Sequence, residues 1–309
     1  MACIQKLDYI SGSSIDDYLD DRLRWCYKWV ENRVPRHVPQ ALKLGKLIHS
    51  AFETYFKTGL PVDMALANLL PAEDAILDPR EQKDVDLARS MVEPLAFWKD
   101  QFPIEATLEV EEPFEFYLTS GAKFRGRPDR VVKAYGKAFH MQHKTMAAGV
   151  KPDVFVMLMS EKMHELLYAY YLRKKYAKQG LEYGGTIANI IRKLKYRSKQ
   201  VTKAEPLGKI LHTPEEMLFQ NAVPISWESV EQAYSDANNI SILMDRTVEM
   251  YLGGKRIERN RRLDGGLHGN AIDPYMLVAI GEIDLADDTF FMDREETYEM
   301  EEPVEDRIG

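Results

Sequence analysis

The sequence has little cysteine and no long hydrophobic run, and both shortages exclude whole classes of protein. Its two thiols, Cys3 and Cys26, are too few for a disulfide framework or for a four-thiolate zinc or iron–sulfur site. No apolar stretch approaches the ~20 residues of a membrane-spanning helix, and the first ten residues lack the apolar segment of a secretory signal. We therefore expect a cytoplasmic protein that has no membrane partner.

An overall excess of basic residues is also missing, because the net charge of the 309 residues is −8. The charge is nevertheless distributed unevenly along the chain. Residues 121–210 hold twenty Lys and Arg against six Asp and Glu, a local charge of +14, whereas 281–309 carry −10. One interpretation is that these cations merely solvate helix surfaces. The excess of one sign favours the other interpretation, in which the middle segment binds a polyanion and an acidic tail follows.

Apolar spacing and turn residues predict a central mixed sheet that is flanked by helices, an α/β fold. Turns at Ser120–Gly121 and Tyr135–Gly136 separate three consecutive antiparallel strands, which we expect to begin this sheet. We predict helices over 11–30, 41–57, 63–70, 80–101, 152–178 and 227–252, and strands over 106–118, 127–134, 138–143 and 183–191. We expect a single domain over 1–280 that contains a helical region over 1–104, a core over 105–194, a basic excursion over 195–225 and a second helical region over 226–280, followed by an acidic tail over 281–309.

Three polar positions on the predicted strands could form a metal site. Asp129 precedes one strand, and Gln142 and Lys144 lie two apart on the next, so these two side chains share one face. Antiparallel pairing across the intervening turn would bring Asp129 beside them. Carboxylate and amide oxygens suit a hard divalent cation, and Lys144 could orient a water for attack on phosphorus. Taken alone, each of these short sequences also fits an ordinary turn or strand.

His49 and Glu53 occupy one face of the second predicted helix, because residues four apart are neighbours on a helix. A single helical histidine is more often a surface residue or a packed residue than a ligand. His49 therefore gains a functional interpretation only in combination with the strand residues.

Three short motifs follow one another in a fixed order along the chain. Gly45–Glu53 contains G-x-x-x-H on a helix, Gly126–Asp129 is G-x-x-D, and Gln142–Thr145 is Q-x-K-T on a strand. This order resembles the RecB-like exonuclease branch of the PD-(D/E)XK nuclease superfamily, in its phage or CRISPR-associated form. The opening segment Ser11–Tyr18 is similar to that branch as well, and the resemblance extends as far as Ile191.

The resemblance implies a PD-(D/E)XK nuclease-like core that hydrolyses DNA phosphodiester bonds with Mg²⁺ or Mn²⁺. It implies Lys144, Asp129 and Gln142 as catalytic residues. The implied metal ligands are His49, Asp129, Gln142 and the backbone carbonyl of His143, with Glu111 as a further candidate. The implied setting is the DNA recombination or repair of a phage or mobile element, in the host cytoplasm and alongside a strand-annealing recombination protein.

Two departures from the family pattern change what the resemblance implies. Gln142 stands where the family usually has a carboxylate, and the missing charge weakens a metal site. The alternative is therefore a catalytically inactive, nuclease-like protein that binds DNA or a recombination partner. Cys26 matches the first ligand of the iron–sulfur cluster that many relatives carry, but residues 263–281 contain no cysteine, so we expect no cluster.

A basic segment after the last core strand is the main candidate surface for DNA. Its cations together with a base stacked on Tyr196 would suit linear ends or single strands, whereas the alternative is a solvated hairpin. Tyr168 corresponds to the tyrosine of the family's Q-x-x-x-Y helix motif, in which His164 replaces the glutamine. The predicted DNA contacts are Arg127, Arg130, Tyr168, Arg192, Lys193, Lys195, Tyr196, Arg197 and Lys199. The motifs leave open whether cutting begins at ends or internally.

Overall fold

The computed structural model describes residues 9–35, 40–72, 79–198, 209–255, 257 and 291–293. The predictions for Cys3, for Lys199 and for the acidic tail other than 291–293 lie outside the described residues, as does the cysteine-free stretch 263–281. No helix in the described ranges is long and apolar enough to cross a membrane. The chain forms two compact units, of which 1–38, 115–125 and 235–309 make the first and 39–114 with 126–234 make the second.

The helices follow most of the predicted bounds, except that the helix predicted over 80–101 ends at Leu95 and two other helices are interrupted. Asp21 ends the first predicted helix early, because its side chain caps a new helix by accepting hydrogen bonds from the backbone N–H groups of Leu23 and Arg24. The helix predicted over 152–178 is divided by a two-residue break. The helices are α1 (Gly12–Asp20), α2 (Arg22–Trp25), α3 (Gln40–Thr58), α4 (Val62–Leu69), α5 (Pro79–Leu95), α6 (Pro152–Ser160), α7 (Met163–Ala177), α8 (Pro214–Met217) and α9 (Trp227–Leu252), with a π-helical turn at Cys26–Val30.

Among the described residues, the strands form one five-stranded sheet and two small two-stranded sheets. They are β1 (Arg33–Pro35), β2 (Ile104–Val110), β3 (Phe114–Tyr117), β4 (Lys123–Gly126), β5 (Arg130–Ala134), β6 (Lys137–Ala147), β7 (Tyr183–Lys193), β8 (Leu218–Val223) and β9 (Phe291–Asp293). The five-stranded sheet has the order β2-β5-β6-β7-β8, and β3 pairs with β4 and β1 with β9. The large sheet lies wholly in the second unit.

The five-stranded sheet is mixed, as predicted. Strands β2, β5 and β6 are antiparallel, β6 and β7 are parallel, and β8 returns antiparallel to β7. Helices α6 and α7 connect β6 to β7, because two parallel neighbours need a long crossover between them. The fold is therefore α/β, with helices flanking a central mixed sheet.

The predicted three-stranded meander needs a correction. The strand expected over 106–118 ends at Val110, and β3 begins a separate hairpin whose turn contains Ser120 and Gly121. Of the two predicted turns, the one at Tyr135–Gly136 joins neighbouring strands of the large sheet, and the other lies in the separate hairpin. The excursion predicted over 195–225 is also partly wrong, because Leu218–Val223 forms the edge strand β8.

Helix α3 lies against the sheet and brings the first motif to the strands that carry the other two. Its residues Leu44, Ile48 and Phe52 are buried in one apolar cluster with Ile191 of β7 and Leu218 of β8. Hydrophobic burial therefore holds α3 in place. Gly59 ends this region with φ +79, a left-handed conformation that suits glycine at a helix C-terminus.

Candidate metal centre and active site

The start of β5 and the middle of β6 carry the predicted strand residues. The antiparallel register pairs Arg130 with Met141, so Asp129 comes beside the row that contains Gln142. The backbone N–H of His143 donates a hydrogen bond to Asp129 Oδ2 at 2.5 Å, which fixes the carboxylate against β6. The predicted antiparallel pairing across the Tyr135–Gly136 turn, which brings Asp129 to β6, is therefore confirmed.

Gly126 of the G-x-x-D motif lies where two aromatic rings approach the backbone. A Cβ at this position would come within 2.5 Å of the Tyr168 ring and within 2.6 Å of the Phe114 ring. Any larger residue would force those rings away, so the glycine permits the close packing of α7 beside the site. The Tyr168 hydroxyl in turn accepts a hydrogen bond from the Arg127 backbone N–H at 3.2 Å.

His49, Glu111 and Asp129 form a cluster of possible metal ligands. One ligand atom from each lies within 4.8 Å of the others, and His49 Nδ1 is 3.7 Å from Asp129 Oδ1. The cluster draws on three separate elements, namely helix α3, the end of β2 and the start of β5. We call these three residues the metal cluster.

Glu111 is the most strained and the most perturbed member of the metal cluster. Its φ of 54 lies in the left-handed region, which non-glycine residues rarely occupy. Burial, followed by the neighbouring negative charge of Asp129, raises the pKa of Glu111 to about 8, although Arg127 at 2.9 Å opposes the shift. Two carboxylates held together in a buried place repel each other, and a divalent cation would relieve that repulsion.

His143 is buried on the α3 side of β6, and its ring packs among aromatic side chains. Its imidazole stacks on Phe52 and Phe56, with ring centroids 4.6 and 5.4 Å away. The Trp98 indole donates to Asn189 Oδ1, so Asn189 Nδ2 donates to His143 Nδ1 at 2.7 Å. Burial lowers the pKa of His143 well below its usual value. The ring is therefore neutral, and its backbone carbonyl stays a predicted ligand.

Gln142 and Lys144 contact each other on the opposite side of β6. The Lys144 ammonium donates a hydrogen bond to Gln142 Oε1 at 3.1 Å. Within the described chain, the buried Gln142 Nε2 has no hydrogen-bond partner. The oxygen that could bind a cation is thus held by the lysine, and Gln142 stays a predicted ligand.

Helix α7 adds a buried carboxylate that the sequence analysis missed. Glu165 is fully buried and lies 3.0 Å from His140 of β6. The segment His164–Tyr168 drew attention to its histidine and tyrosine, whereas a glutamate in a helix is usually solvated. Only the pattern of β6, in which His140 shares a face with Gln142 and Lys144, could have indicated its partner.

Two of the predicted DNA contacts are buried, and the structure contradicts them. The Arg130 guanidinium bonds to Asp100 and Thr107 and lies 3.9 Å from the centre of the Phe56 ring. Tyr196 is 5% exposed and belongs to the apolar cluster around α3. Neither side chain can reach a nucleic acid, because each completes the interior of the second unit.

The other predicted cationic DNA contacts differ in the exposure of their side chains. Arg127 is 61% exposed at its side chain, and Lys195 is exposed. Arg192 donates to the backbone oxygens of Ala148 and Glu216. Arg197 forms a two-point ion pair with Glu93, and Lys193 is half-buried. Arg127 and Lys195 thus offer the most accessible charge.

The family to which the motifs point is also found by comparison with known proteins. A family model of the PD-(D/E)XK nuclease superfamily matches residues 9–251. The chain is similar to a crystal structure of a candidate exonuclease from Eubacterium rectale, with 13% identity, a TM-score of 0.48, and coverage of 89% of this chain and 94% of that chain. It is similar to a protein named SSO0001, with 10% identity, a TM-score of 0.27, and coverage of 78% and 79%. No curated protein matches the chain.

Proposed function

The chain belongs to the PD-(D/E)XK nuclease superfamily, and we propose that it is a divalent-metal-dependent deoxyribonuclease of the RecB-like branch. The observation that carries this proposal is the metal cluster of His49, Glu111 and Asp129, with Asp129 fixed to the strand that presents Lys144. A lysine beside a metal site of this kind can support the hydrolysis of a phosphodiester bond.

The donor set of the metal cluster fits a magnesium or manganese ion. Ligands of Mg²⁺ lie about 2.1 Å from the ion in an octahedron, so ligand atoms that share an ion are about 3 to 4 Å apart. The cluster atoms lie within 4.8 Å of one another, and small side-chain rotations close that gap. One imidazole among carboxylates also accepts Mn²⁺. A bound ion would act as a Lewis acid and activate a water.

The surrounding residues have distinct tasks in this proposal. The Lys144 ammonium would donate hydrogen bonds to the phosphate and to the attacking water, where negative charge develops. Gln142 holds Lys144 in place at 3.1 Å. Arg127, which is exposed and reaches Glu111 at 2.9 Å, would contact a neighbouring backbone phosphate.

The motif resemblance supports a finer proposal, that the enzyme is an exonuclease serving recombination or repair in a phage or mobile element. A strand-annealing recombination protein would be its functional partner, and the host cytoplasm its location. The second candidate function is a DNA-binding relative that does not cut. Gln142 favours this candidate, because a neutral amide replaces a carboxylate at the family's metal site.

Degradation of labelled DNA distinguishes these candidates. We expect the wild type to digest end-labelled linear duplex DNA with Mg²⁺ or Mn²⁺ and to leave covalently closed circles intact. Lys144→Ala should reduce the rate about a hundred- to a thousandfold, whereas Lys137→Ala at the other end of β6 should not change it. A wild type that binds DNA and cuts none with either metal would refute the proposed nuclease activity. Cutting of circles would establish an endonuclease instead.

A further inference from the structure

The imidazole of His143 connects strand β6 to the face of helix α3 that carries His49. His49, Phe52 and Phe56 lie at positions i, i+3 and i+7, so they share one face of the helix. Phe52 and Phe56 stack on the imidazole, with ring centroids 4.6 and 5.4 Å away. The His49 ring is nearly perpendicular to it, with centroids 6.1 Å apart. One side chain of β6 therefore contacts about two turns of α3.

The main chain of His143 reaches a second member of the metal cluster. Its backbone N–H donates a hydrogen bond to Asp129 Oδ2 at 2.5 Å. The other carboxylate oxygen of Asp129 lies 3.7 Å from His49 Nδ1. His143 thus contacts two candidate ligands at once, Asp129 through its backbone and His49 through its ring.

A hydrogen bond from strand β7 holds this imidazole. The parallel register places Asn189 opposite His143, and the buried Asn189 Nδ2 donates to His143 Nδ1 at 2.7 Å. The Trp98 indole N–H, 3.3 Å from Asn189 Oδ1, determines which way the amide faces. Within the described residues, His143 Nε2 has no hydrogen-bond partner. The donor from β7 is therefore the polar contact that sets the angle of the ring.

A metal ligand must be placed more accurately than apolar packing alone requires. Hydrophobic burial is not directional, so a helix that rests on a sheet only through apolar side chains can shift at little cost. The distances from a metal ion to its ligands vary by only about 0.2 Å. Hydrogen bonds and ring contacts have preferred geometries, and partners that orient a ligand commonly change metal affinity about ten- to a hundredfold.

We propose that His143 is a positioning residue for the metal cluster, and that its ring, held by Asn189, sets the place of His49 beside Asp129. The ring determines where α3 lies on β6, and the backbone N–H of the same residue fixes the carboxylate that His49 faces. This inference rests on the proposed metal-dependent nuclease, because a shared ion requires these two ligands at a fixed separation.

Titration of the DNA-free protein with Mn²⁺, followed by the electron paramagnetic resonance of the free ion, tests this role without turnover. His143→Ala removes the ring and keeps the backbone N–H, and we expect Mn²⁺ to bind about tenfold more weakly. Combining His143→Phe with Asn189→Leu keeps a ring and replaces the hydrogen-bonded pair by an apolar pair. In this double variant, the affinity should return to within about threefold of the wild type.

Leu66→Ala is the matched control for lost stability. Leu66 of helix α4 is fully buried in the apolar cluster that also contains Phe52, so its truncation lowers the midpoint of urea unfolding. The Mn²⁺ affinity of the folded variant should nevertheless stay within about twofold of the wild type. An equal loss of affinity in Leu66→Ala and His143→Ala would make His143 a packing residue and overturn the proposal.

Asn189→Leu alone tests the same role if His143→Ala does not fold. This substitution keeps the imidazole and removes the donor that sets its angle. We expect Mn²⁺ to bind at least about threefold more weakly. An unchanged affinity in folded Asn189→Leu would overturn the part of the proposal that assigns the ring angle to Asn189.

Crystal structures of the metal-free variants provide a second readout. We expect His49 Nδ1 to lie near 3.7 Å from Asp129 Oδ1 in the wild type and the double variant, and to move by about 1 Å or more in His143→Ala. A His49 that keeps its place in His143→Ala, or a folded double variant without recovered affinity, overturns the positioning role. A wild type that binds Mn²⁺ and cuts no DNA refutes the nuclease proposal instead, and the affinities still decide the role of His143.

Discussion

The two faces of strand β6 are both buried, and they differ in charge. On the α3 side, His143 stacks on Phe52 and Phe56 and is held neutral. On the α7 side, His140 donates to Glu165, whose carboxylate is held ionised. The two histidines are three residues apart on one strand. The difference shows that the neighbours brought by each helix, rather than the residue type, decide what a buried histidine does.

The two faces also contribute to the site in different ways. The aromatic side holds α3 and therefore His49, through the packing of buried rings. The ionised side adjoins Lys144, the residue that would contact the phosphate. We therefore expect substitutions on the first side to change stability, and substitutions on the second to change turnover.

The largest effect on stability is expected from removing a buried ring on the α3 side of β6. Phe52→Ala removes a fully buried ring that packs on both His143 and Trp98. It should lower the free energy of unfolding by about 3 to 5 kcal/mol, measured by urea denaturation. Phe97→Ala, at a ring that is 60% exposed, should stay within about 0.5 kcal/mol. A loss below about 1 kcal/mol at Phe52 would contradict the packing role.

A smaller effect on stability is expected from the titration of Glu111, where β2 ends at the metal cluster. Because the pKa of Glu111 is raised to about 8, the folded protein binds a proton that the unfolded chain releases near pH 4.3. Stability of the metal-free wild type should therefore fall as pH rises from about 4.3 to 8.

Comparison with Glu111→Gln isolates this contribution. In a chelating buffer, the variant should lose less stability than the wild type between pH 6 and pH 8, by about 2 kcal/mol. Glu112→Gln, at the exposed neighbouring carboxylate, should keep the slope of the wild type. Equal slopes for the wild type and Glu111→Gln would show that the metal cluster does not perturb Glu111.

The third effect has the opposite dependence on pH and sharpens the contrast between the two sides. Because the pKa of His143 lies well below 6.5 in the folded protein, acidification protonates the unfolded chain first. Stability should fall below about pH 6.5, by up to about 1.4 kcal/mol per pH unit. His143→Phe should remove that portion of the slope in chelator-treated protein. His212→Gln, at a more exposed ring, should leave it in place.

The smallest effect concerns the segment after β7, where a packed side and an open side also alternate. Lys195 is exposed, whereas Tyr196 is 5% exposed. Lys195→Ala should weaken DNA binding about two- to threefold and reduce the slope of log Kd against log salt by about 0.9. Tyr196→Leu, which removes the ring and keeps an apolar side chain, should leave Kd unchanged in a titration of the folded variant with single-stranded DNA and chelator. A tenfold loss for folded Tyr196→Leu would restore the stacking role that the burial of Tyr196 contradicts.

The metal cluster was predictable because its residues lie at positions that local structure fixes. Asp129 is the last residue of the G-x-x-D motif and directly precedes β5. The turn at Tyr135–Gly136 sets the register that brings Asp129 to β6. His49 comes from a helix whose apolar spacing already indicates which face is buried. These are short-range patterns, because the period of a strand or a helix determines which of its side chains share a face.

The surroundings of the site were not predictable, because they depend on contacts between distant segments. Glu165 is buried by His140 and Tyr183, which come from two different strands, and no periodic pattern in α7 marks it. Arg130 and Tyr196 look like DNA contacts by residue type, yet Asp100 and the apolar cluster draw them inward. The chain also leaves β2 at Glu111 for a separate hairpin, and residues with β propensity continue across that break.

If His49, Glu111 and Asp129 hold the catalytic metal, Mn²⁺ bound to them can be located directly by its anomalous scattering. A crystal soaked with MnCl₂ should show one anomalous peak within about 2.0 to 2.4 Å of a ligand atom from each of the three side chains. The peak should be absent from Asp129→Ala crystals soaked in the same way. A map of the wild type with Mn²⁺ elsewhere, or with none at these three residues, would show that they do not hold the metal.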